Sequence, residues 1–327
     1  MCVTCGCGQT GAARINGEAL DTHEHEHVLA DGTRVVHRHE HGNDAAHDEH
    51  MHIRALQHGH DIASMANAVF LPITAKSQQH THAAEHGHSH THTSVPAAQR
   101  REIPTELVRL ETALLDKNQR IAERNRAALA GRGVLALNLM SSPGAGKTSL
   151  LVRTLTDLAA EIPMSVVEGD QETSADAERI RATGAKAVQI NTGAGCHLEA
   201  DMLERALLTL SPAAGSVLFI ENVGNLVCPA LFDLGERARI VVLSVTEGDD
   251  KPLKYPHMFR SAQLMLLTKI DLLPYVSFDP ARAEANAREI NPQIECLRLS
   301  VTSGEGLADW YQHLRSLLQE VATERVA

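Results

Sequence analysis

Four features are missing from this 327-residue sequence, and each absence excludes something. No window approaches the run of about 18 apolar residues that a membrane-spanning helix requires. The first residues carry no basic segment followed by an apolar core, so no signal peptide is expected and the cytoplasm is the expected compartment. There is no excess of positive charge. The formal net charge is −11, which argues against nucleic acid as a partner, because a phosphate backbone calls for a basic surface. Nor are disulfides expected, because the cytoplasm keeps thiols reduced. The six cysteines are expected to be thiols available for metal or catalysis.

What the sequence does have is unevenly placed. Of 20 histidines, 17 fall between His23 and His92. Cys2, Cys5 and Cys7 crowd the start, whereas Cys196, Cys228 and Cys296 are scattered. Composition shifts near Val95-Pro96. Residues 1–95 are rich in His, Gly, Thr, Ala and acid, with too little apolar surface to offset the entropy of ordering, so disorder is expected. A short apolar patch at 62–73 has a weak helical pattern. Residues 96–327 read as one α/β domain. It opens with a helix over about 104–130, with Pro104 in its first turn, Leu107, Leu110, Leu114 and Ile121 on one face and Gly131 as the stop.

Beyond Gly133, short apolar runs alternate with amphipathic stretches. The expected strands are 134–140, 164–168, 187–190, 216–220, 239–245, 263–268 and 295–299. The expected helices are 148–159, 174–183, 197–210, 280–290 and 307–321. This alternation predicts a mostly parallel seven-stranded sheet flanked by helices, with ligands at the carboxyl ends of the strands.

The first strand runs into Ser141-Ser142-Pro143-Gly144-Ala145-Gly146-Lys147-Thr148-Ser149. Strand, small-residue loop, Gly-Lys-Thr and helix make a phosphate-binding loop of the P-loop NTPase type, although Ser141 stands where the usual pattern has its first Gly. Small residues let backbone N–H groups of Gly144, Ala145, Gly146 and the residues after them approach phosphates, and the helix terminus adds positive charge. Lys147 reaches the β and γ phosphates, and the Thr148 hydroxyl takes Mg²⁺. Asp170, after the second strand, is a candidate for Mg²⁺ and for positioning the attacking water. Glu221, at the end of the Val217–Ile220 strand, sits where a Mg²⁺-linked carboxylate belongs. The bland reading of both is a solvated strand end. Thr268-Lys269-Ile270-Asp271 resembles the guanine motif with Thr in its first position. The Asp271 carboxylate can accept from guanine N1–H and N2–H₂, a donor pair that adenine lacks, while Lys269 packs its stem along the base. Ser300-Val301-Thr302 is a weaker candidate for a last base-contacting loop.

Three constellations point to metal. Cys2, Cys5 and Cys7 can converge on one ion, with the α-amino group as a fourth ligand in a planar S₃N site. Thiolates suit nickel, zinc or copper(I). The histidines alternate at 23, 25 and 27, at 37, 39 and 41, and from 86 to 92. In an extended chain alternation puts imidazoles on one side, and at about two to four per ion the tract holds roughly four to eight ions. Cys196-His197 opens the helix after the third strand, and Cys228 follows Glu221-Asn222-Val223-Gly224. Both lie near nucleotide-contacting strand ends, although buried structural cysteines fit the spacing equally well. His257 and Cys296 read as structural.

With these residues assembled, the sequence resembles the HypB family of hydrogenase nickel-incorporation GTPases. The most specific pieces are Asn138–Gly144, Glu168-Gly169-Asp170-Gln171, Asn191-Thr192-Gly193-x-Gly195-Cys196-His197-Leu198 and Glu221–Pro229, together with the Cys2-x-x-Cys5-Gly6-Cys7 start. The resemblance covers Glu106 to the C-terminus. The resemblance implies a GTPase of the dimerising class that includes signal-recognition and MinD-like proteins, with a homodimer promoted by GTP. It implies slow GTP hydrolysis and delivery of Ni²⁺, with Zn²⁺ competing, to the hydrogenase large-subunit precursor with a HypA-type metallochaperone. It also implies that Cys196, His197 and Cys228 form a metal site at the dimer interface, and that the His-rich tract is a nickel store. A urease-accessory nickel GTPase is the related alternative, though that relative favours a Cys-x-His pair. A metal-buffering protein with a nucleotide-switched dimer and an ATPase of the MinD type are the others.

Because metal binding needs neutral imidazole, the capacity of the His-rich tract is expected to fall below about pH 6. Nickel titrations of the full chain and of a chain starting at Pro96 check this. The difference in stoichiometry between them should collapse between about pH 7 and pH 5.

Overall fold

The computed structural model of the chain describes residues 14–15, 18–19, 22–28, 34–40, 105–171, 174–193 and 195–324. The chain divides into two compact units, Met1–Glu49 with Leu114–Ala327, and His50–Ala113. Cys2, Cys5, Cys7, Pro104 and the apolar patch at 62–73 lie outside the described residues, as does most of the segment expected to be disordered.

The first unit is built on seven parallel strands: β5 (Leu135–Ser141), β6 (Met164–Asp170), β7 (Lys186–Asn191), β8 (Val217–Glu221), β9 (Ala238–Ser244), β10 (Leu264–Thr268) and β11 (Glu295–Arg298). Their order across the sheet is β11-β10-β9-β5-β8-β6-β7, with two short antiparallel strands, β1 (Arg14–Ile15) and β2 (Glu18–Ala19), added beyond β7. A separate antiparallel pair, β3 (Thr22–Val28) and β4 (Arg34–Glu40), sets His23 opposite His39 and His25 opposite His37. All seven expected parallel strands are present, with ends shifted by one or two residues.

Strand β5 lies at the centre with all seven residues buried. Leu135, Leu137 and Leu139 join a core with Leu150, Leu151 and Trp310. Between them, Ala136 and Met140 face cores on the opposite side. A strand covered on both faces reads as a near-continuous apolar run, as Leu135-Ala136-Leu137 and Leu139-Met140 do on either side of the buried Asn138. The chain leaves β5 toward β8 and β6 on one side and returns through β9 and β10 on the other. The loop after β5 therefore sits at a topological switch point.

The helices that matter here are α1 (Thr105–Gly131), α2 (Lys147–Leu158), α3 (Ala175–Arg181), α4 (Ala200–Leu210) and α8 (Leu307–Glu324). Trp310 of α8 is fully buried and its indole Nε1 donates to Thr154 Oγ1 of α2 at 2.9 Å. Three features differ from the sequence expectation. Leu114 of α1 is 40% exposed, whereas Ile121 is buried as expected, together with Asn118, Ala122, Asn125 and Leu129; the side chains of Leu107 and Leu110 lie outside the described residues. Short helices α5 (Lys251–Lys254), α6 (Pro256–Ser261) and a 3₁₀ turn at Cys228–Ala230 fall where no helix was expected; segments of six residues or fewer carry no helical period to read. And Cys196-His197 does not open α4. The helix begins at Ala200, because the Asn118 side chain accepts the Ala200 N–H at 2.8 Å and supplies from α1 the cap that Glu199 does not provide.

Asn125 completes the clasp, donating to Ala200 O at 2.8 Å and Leu234 O at 3.0 Å while only 2% exposed. Asn125→Leu removes the side-chain donor from the Ala200 and Leu234 carbonyls, an expected cost of about 1–3 kcal/mol. Chemical denaturation checks this: the midpoint should fall with little change in slope.

Candidate active site and metal centre

The loop Ser142–Gly146 turns sharply between β5 and α2. Gly144 (φ +75°) and Gly146 (φ +101°) occupy left-handed conformations, which glycine reaches without a Cβ penalty. No side chain caps α2 and no acid lies in its first turn, so its N–H groups are left for an anion. Lys147, 8% exposed, donates from Nζ to Ser141 Oγ at 2.8 Å. The serine at the unusual first position thus holds the lysine across the loop. Burial lowers the Lys147 pKa, while Glu221, Asp176, Glu168 and Glu247 oppose the shift. Ser149, at the third position of α2, takes a hydrogen bond from Arg179 Nη2 at 3.3 Å.

The carboxylates gather on the other wall. Glu221 is 4% exposed; its Oε1 accepts from Thr148 Oγ1 at 2.7 Å, and its Oε2 has no hydrogen-bond partner. Burial raises its pKa, with Lys147 and Thr148 opposing. Glu168 pairs in register with Glu221 across β6 and β8. Burial, followed by repulsion from Glu221 and Asp170, pushes its carboxyl up to about 8. Asp170 lines the same cleft and accepts the Gln171 N–H at 2.7 Å. Lys147, Thr148, Glu168, Asp170, Glu221 and Lys269 thus border one hollow of about 440 Å³. A hollow of about 470 Å³ at the amino ends of β6 and β8 is lined by none of the motif residues.

The sequence-predicted base motif adjoins this cleft. Thr268 Oγ1 donates to Ala145 O at 2.8 Å, and Lys269 Nζ donates to Gly144 O at 2.7 Å. The motif and the phosphate-binding loop are therefore tied together. Lys269 has φ +60°, a conformation uncommon for a residue with a Cβ. Asp271 Oδ1 accepts from Ser300 Oγ at 2.5 Å, which brings the Ser300–Thr302 loop beside it. Glu247 had no part in the sequence reading. Its Oε2 accepts from Ser142 Oγ at 2.6 Å and its Oε1 from Ser244 N at 3.1 Å, bracing the loop from β9. Its one sequence signal was a place just past a strand end.

Cys196, His197 and Cys228 converge. All three are buried, and their ligand atoms lie within 4.8 Å of one another, as no other Cys, His or acidic group of three does among the described residues. The Cys196 Sγ to His197 Nδ1 distance is 3.7 Å. The imidazole stacks on Phe232, centroids 4.0 Å apart, and its Nε2 lies 3.7 Å from Glu199 Oε1. Burial works against the imidazolium, but Cys196 and Glu199 outweigh it and raise His197 to about 9. Cys296 stands apart, partly buried, with its thiol pushed up to about 11 by burial. This fits its structural reading.

One loop joins the two sites. Asn222, next to Glu221, accepts the Leu198 N–H at 3.2 Å through its side chain. Asn225 donates to Cys196 O at 3.3 Å. A Cβ on Gly224 would lie 3.0 Å from Pro143 Cα of the phosphate-binding loop. A Cβ on Gly169 would lie 2.8 Å from Leu198 Cδ2.

The sequence profile described as "CobW/HypB/UreG, nucleotide-binding domain" matches residues 135–298. The hydrogenase maturation factor HypB of Escherichia coli K12 is 46% identical over 316 residues, spanning 97% of this chain and 99% of that protein. The chain belongs to the HypB family of hydrogenase maturation factors. HypB of Azotobacter vinelandii is 57% identical over 63% of this chain and 68% of its own length. Among solved structures, Archaeoglobus fulgidus HypB superposes with a TM-score of 0.59 at 42% identity, covering 62% of this chain and 99% of that one. Helicobacter pylori HypB in complex with nickel gives 0.59 at 38%, covering 62% and 96%. No helix among the described residues is long and apolar enough to cross a membrane.

A metal at the Cys196/His197/Cys228 centre must displace the His197 proton at neutral pH. Zinc affinity at this centre should therefore rise with pH up to about 9, by about tenfold per unit for each proton displaced. Competition titrations on a chain starting at Pro96 check this, and Cys228→Ser should abolish the dependence along with the site.

Proposed function

We propose that this chain binds and hydrolyses GTP and delivers nickel to the hydrogenase large-subunit precursor, with a HypA-type metallochaperone as partner. The observation that carries the reading is the single loop with Glu221 at one end and Cys228 at the other. It touches Pro143 at Gly224 and the cysteine-histidine segment at Asn222 and Asn225. A change at the phosphates thus has a short covalent and packed route to the metal ligands. Nickel is the cargo, and the soft Cys₂His donor set suits it, as it suits zinc.

Within the cleft, the N–H groups of Gly144–Ser149 and the Lys147 ammonium cradle phosphate. The donor set also fits Mg²⁺: the Thr148 hydroxyl, Asp170 and the orphan Oε2 of Glu221 are hard oxygen ligands. When bound, that cation neutralises charge on the phosphates. Asp170, on the rim, orients the attacking water, so Asp170→Ala should slow GTP hydrolysis in a turnover assay, and normal turnover would overturn the role. Asp271 accepts from the guanine edge, with Ser300 holding its other face. GTP then outcompetes ATP, which a MinD-type ATPase would not allow.

GTP also closes a homodimer over Cys196, His197 and Cys228. Val227 and Leu231, exposed on either side of Cys228, support that interface. Before Pro96, Cys2, Cys5 and Cys7 form a second metal site and the histidines a nickel store. Linkage then requires reciprocity: if GTP changes nickel affinity, nickel changes GTP affinity by the same factor.

The deciding experiment titrates nickel into the full chain and into a chain starting at Pro96, each with GDP and with a non-hydrolysable GTP analogue. The shorter chain is expected to keep a site whose affinity shifts with nucleotide and is lost in Cys196→Ala. Nickel bound only before Pro96 and indifferent to nucleotide would overturn delivery and leave a buffering protein instead.

A further inference from the structure

Glu168 has been assigned no role so far, yet its surroundings are specific. Strands β6 and β8 are parallel neighbours, with Val166 opposite Phe219 and Glu168 opposite Glu221. Side chains two residues apart on a strand share a face. Val166 and Phe219 belong to the core beneath α2, so Glu168 and Glu221 present their carboxylates toward the first turn of that helix. Thr148 confirms the direction by its 2.7 Å hydrogen bond to Glu221. Glu168 is 3% exposed and Glu221 4%, and each has an Oε2 without a hydrogen-bond partner. Both border the cleft.

A buried carboxylate oxygen with no partner is costly, and two side by side are more so. Lys147 does not relieve them by direct contact; its Nζ is hydrogen-bonded to Ser141. A strand-end glutamate with only a packing role would turn to solvent or take a backbone donor. Mg²⁺ keeps several of its waters, and those waters need acceptors. Two orphan oxygens in register beside the Thr148 hydroxyl supply them.

We infer that Glu168 is a third carboxylate holding the nucleotide's divalent cation, through its water shell, alongside Glu221 and Asp170. This rests on reading the cleft as a nucleotide–Mg²⁺ site. It assigns Glu168 a positioning role, distinct from that of Asp170 on the rim.

The test uses the full chain and two probes, a fluorescent GDP titrated with Mg²⁺, and Mn²⁺ followed by electron paramagnetic resonance in the GDP complex. Glu168→Gln should raise the cation concentration for half-maximal binding by about 10–100-fold, and leave GDP affinity in excess chelator unchanged within about twofold. Glu168→Asp keeps the charge and should fall between that variant and the parent; it also covers the case in which the glutamine variant does not fold. An unchanged cation dependence in either variant overturns the inference. So does a loss of GDP affinity that is equal with and without cation, which marks a purely structural residue. If the unaltered chain binds GDP with no cation dependence, the nucleotide reading itself falls, and the inference with it.

Discussion

The structure depends on the complete burial of one strand. Because β5 is covered on both faces, it cannot tilt or slide without opening two cores at once, and the loop that leaves it inherits that rigidity. Phosphate recognition by backbone N–H groups needs such a fixed frame, since the donors cannot search for their ligand as side chains can. The small residues of the loop, Lys147 tied to Ser141, and the first turn of α2 all take their positions from the end of this strand. The braces around it, Thr268 to Ala145 and Glu247 to Ser142, come from strands β9 and β10 on the far side of the switch point.

Charge is distributed against local stability. Lys147, Glu168 and Glu221 are buried at one strand-end cluster, and burial shifts each toward its neutral form. A cleft prepared for a polyanion and its cation is expected to be under-neutralised by its own side chains, because the missing charges arrive with the ligand. The Cys196/His197/Cys228 centre shows the same economy. Its three side chains are drawn together by packing, with Phe232 stacked on the imidazole and Asn118 and Asn125 holding the start of α4 just beyond. The two centres share the segment from Glu221 to Cys228, and Gly224 within it packs on Pro143 of the phosphate-binding loop.

Much of this was legible in the sequence. The central parallel strands β5, β8, β9 and β10 appear as apolar runs because both their faces are buried, whereas the edge strand β11 is only partly buried. Gly144 and Gly146 are readable because the turn they make demands left-handed backbone. Asp271 was legible as a candidate base contact because few residue types can accept two donors from guanine. The start of α4 was misplaced, since its cap comes from Asn118, 82 residues away, and no local pattern records that. The buried stripe of α1 was partly misread for a related reason. Asn118 and Asn125 look solvent-facing until their partners on α4 and the 233–235 loop are in place.

Sequence by itself determined the fold class and the phosphate-binding loop, and the candidacy of Thr268–Asp271 for the base and of Cys196, His197 and Cys228 for metal, because each rests on residue types at short, fixed spacing. Only tertiary structure decided that the two cysteines and the histidine lie within ligand distance of one another. It alone set Glu168 beside Glu221, and fastened the metal loop to the nucleotide loop through Asn222, Asn225 and Gly224. Those relations join segments tens of residues apart, and they exist only once β6, β7 and β8 align their carboxyl ends along one edge of the sheet.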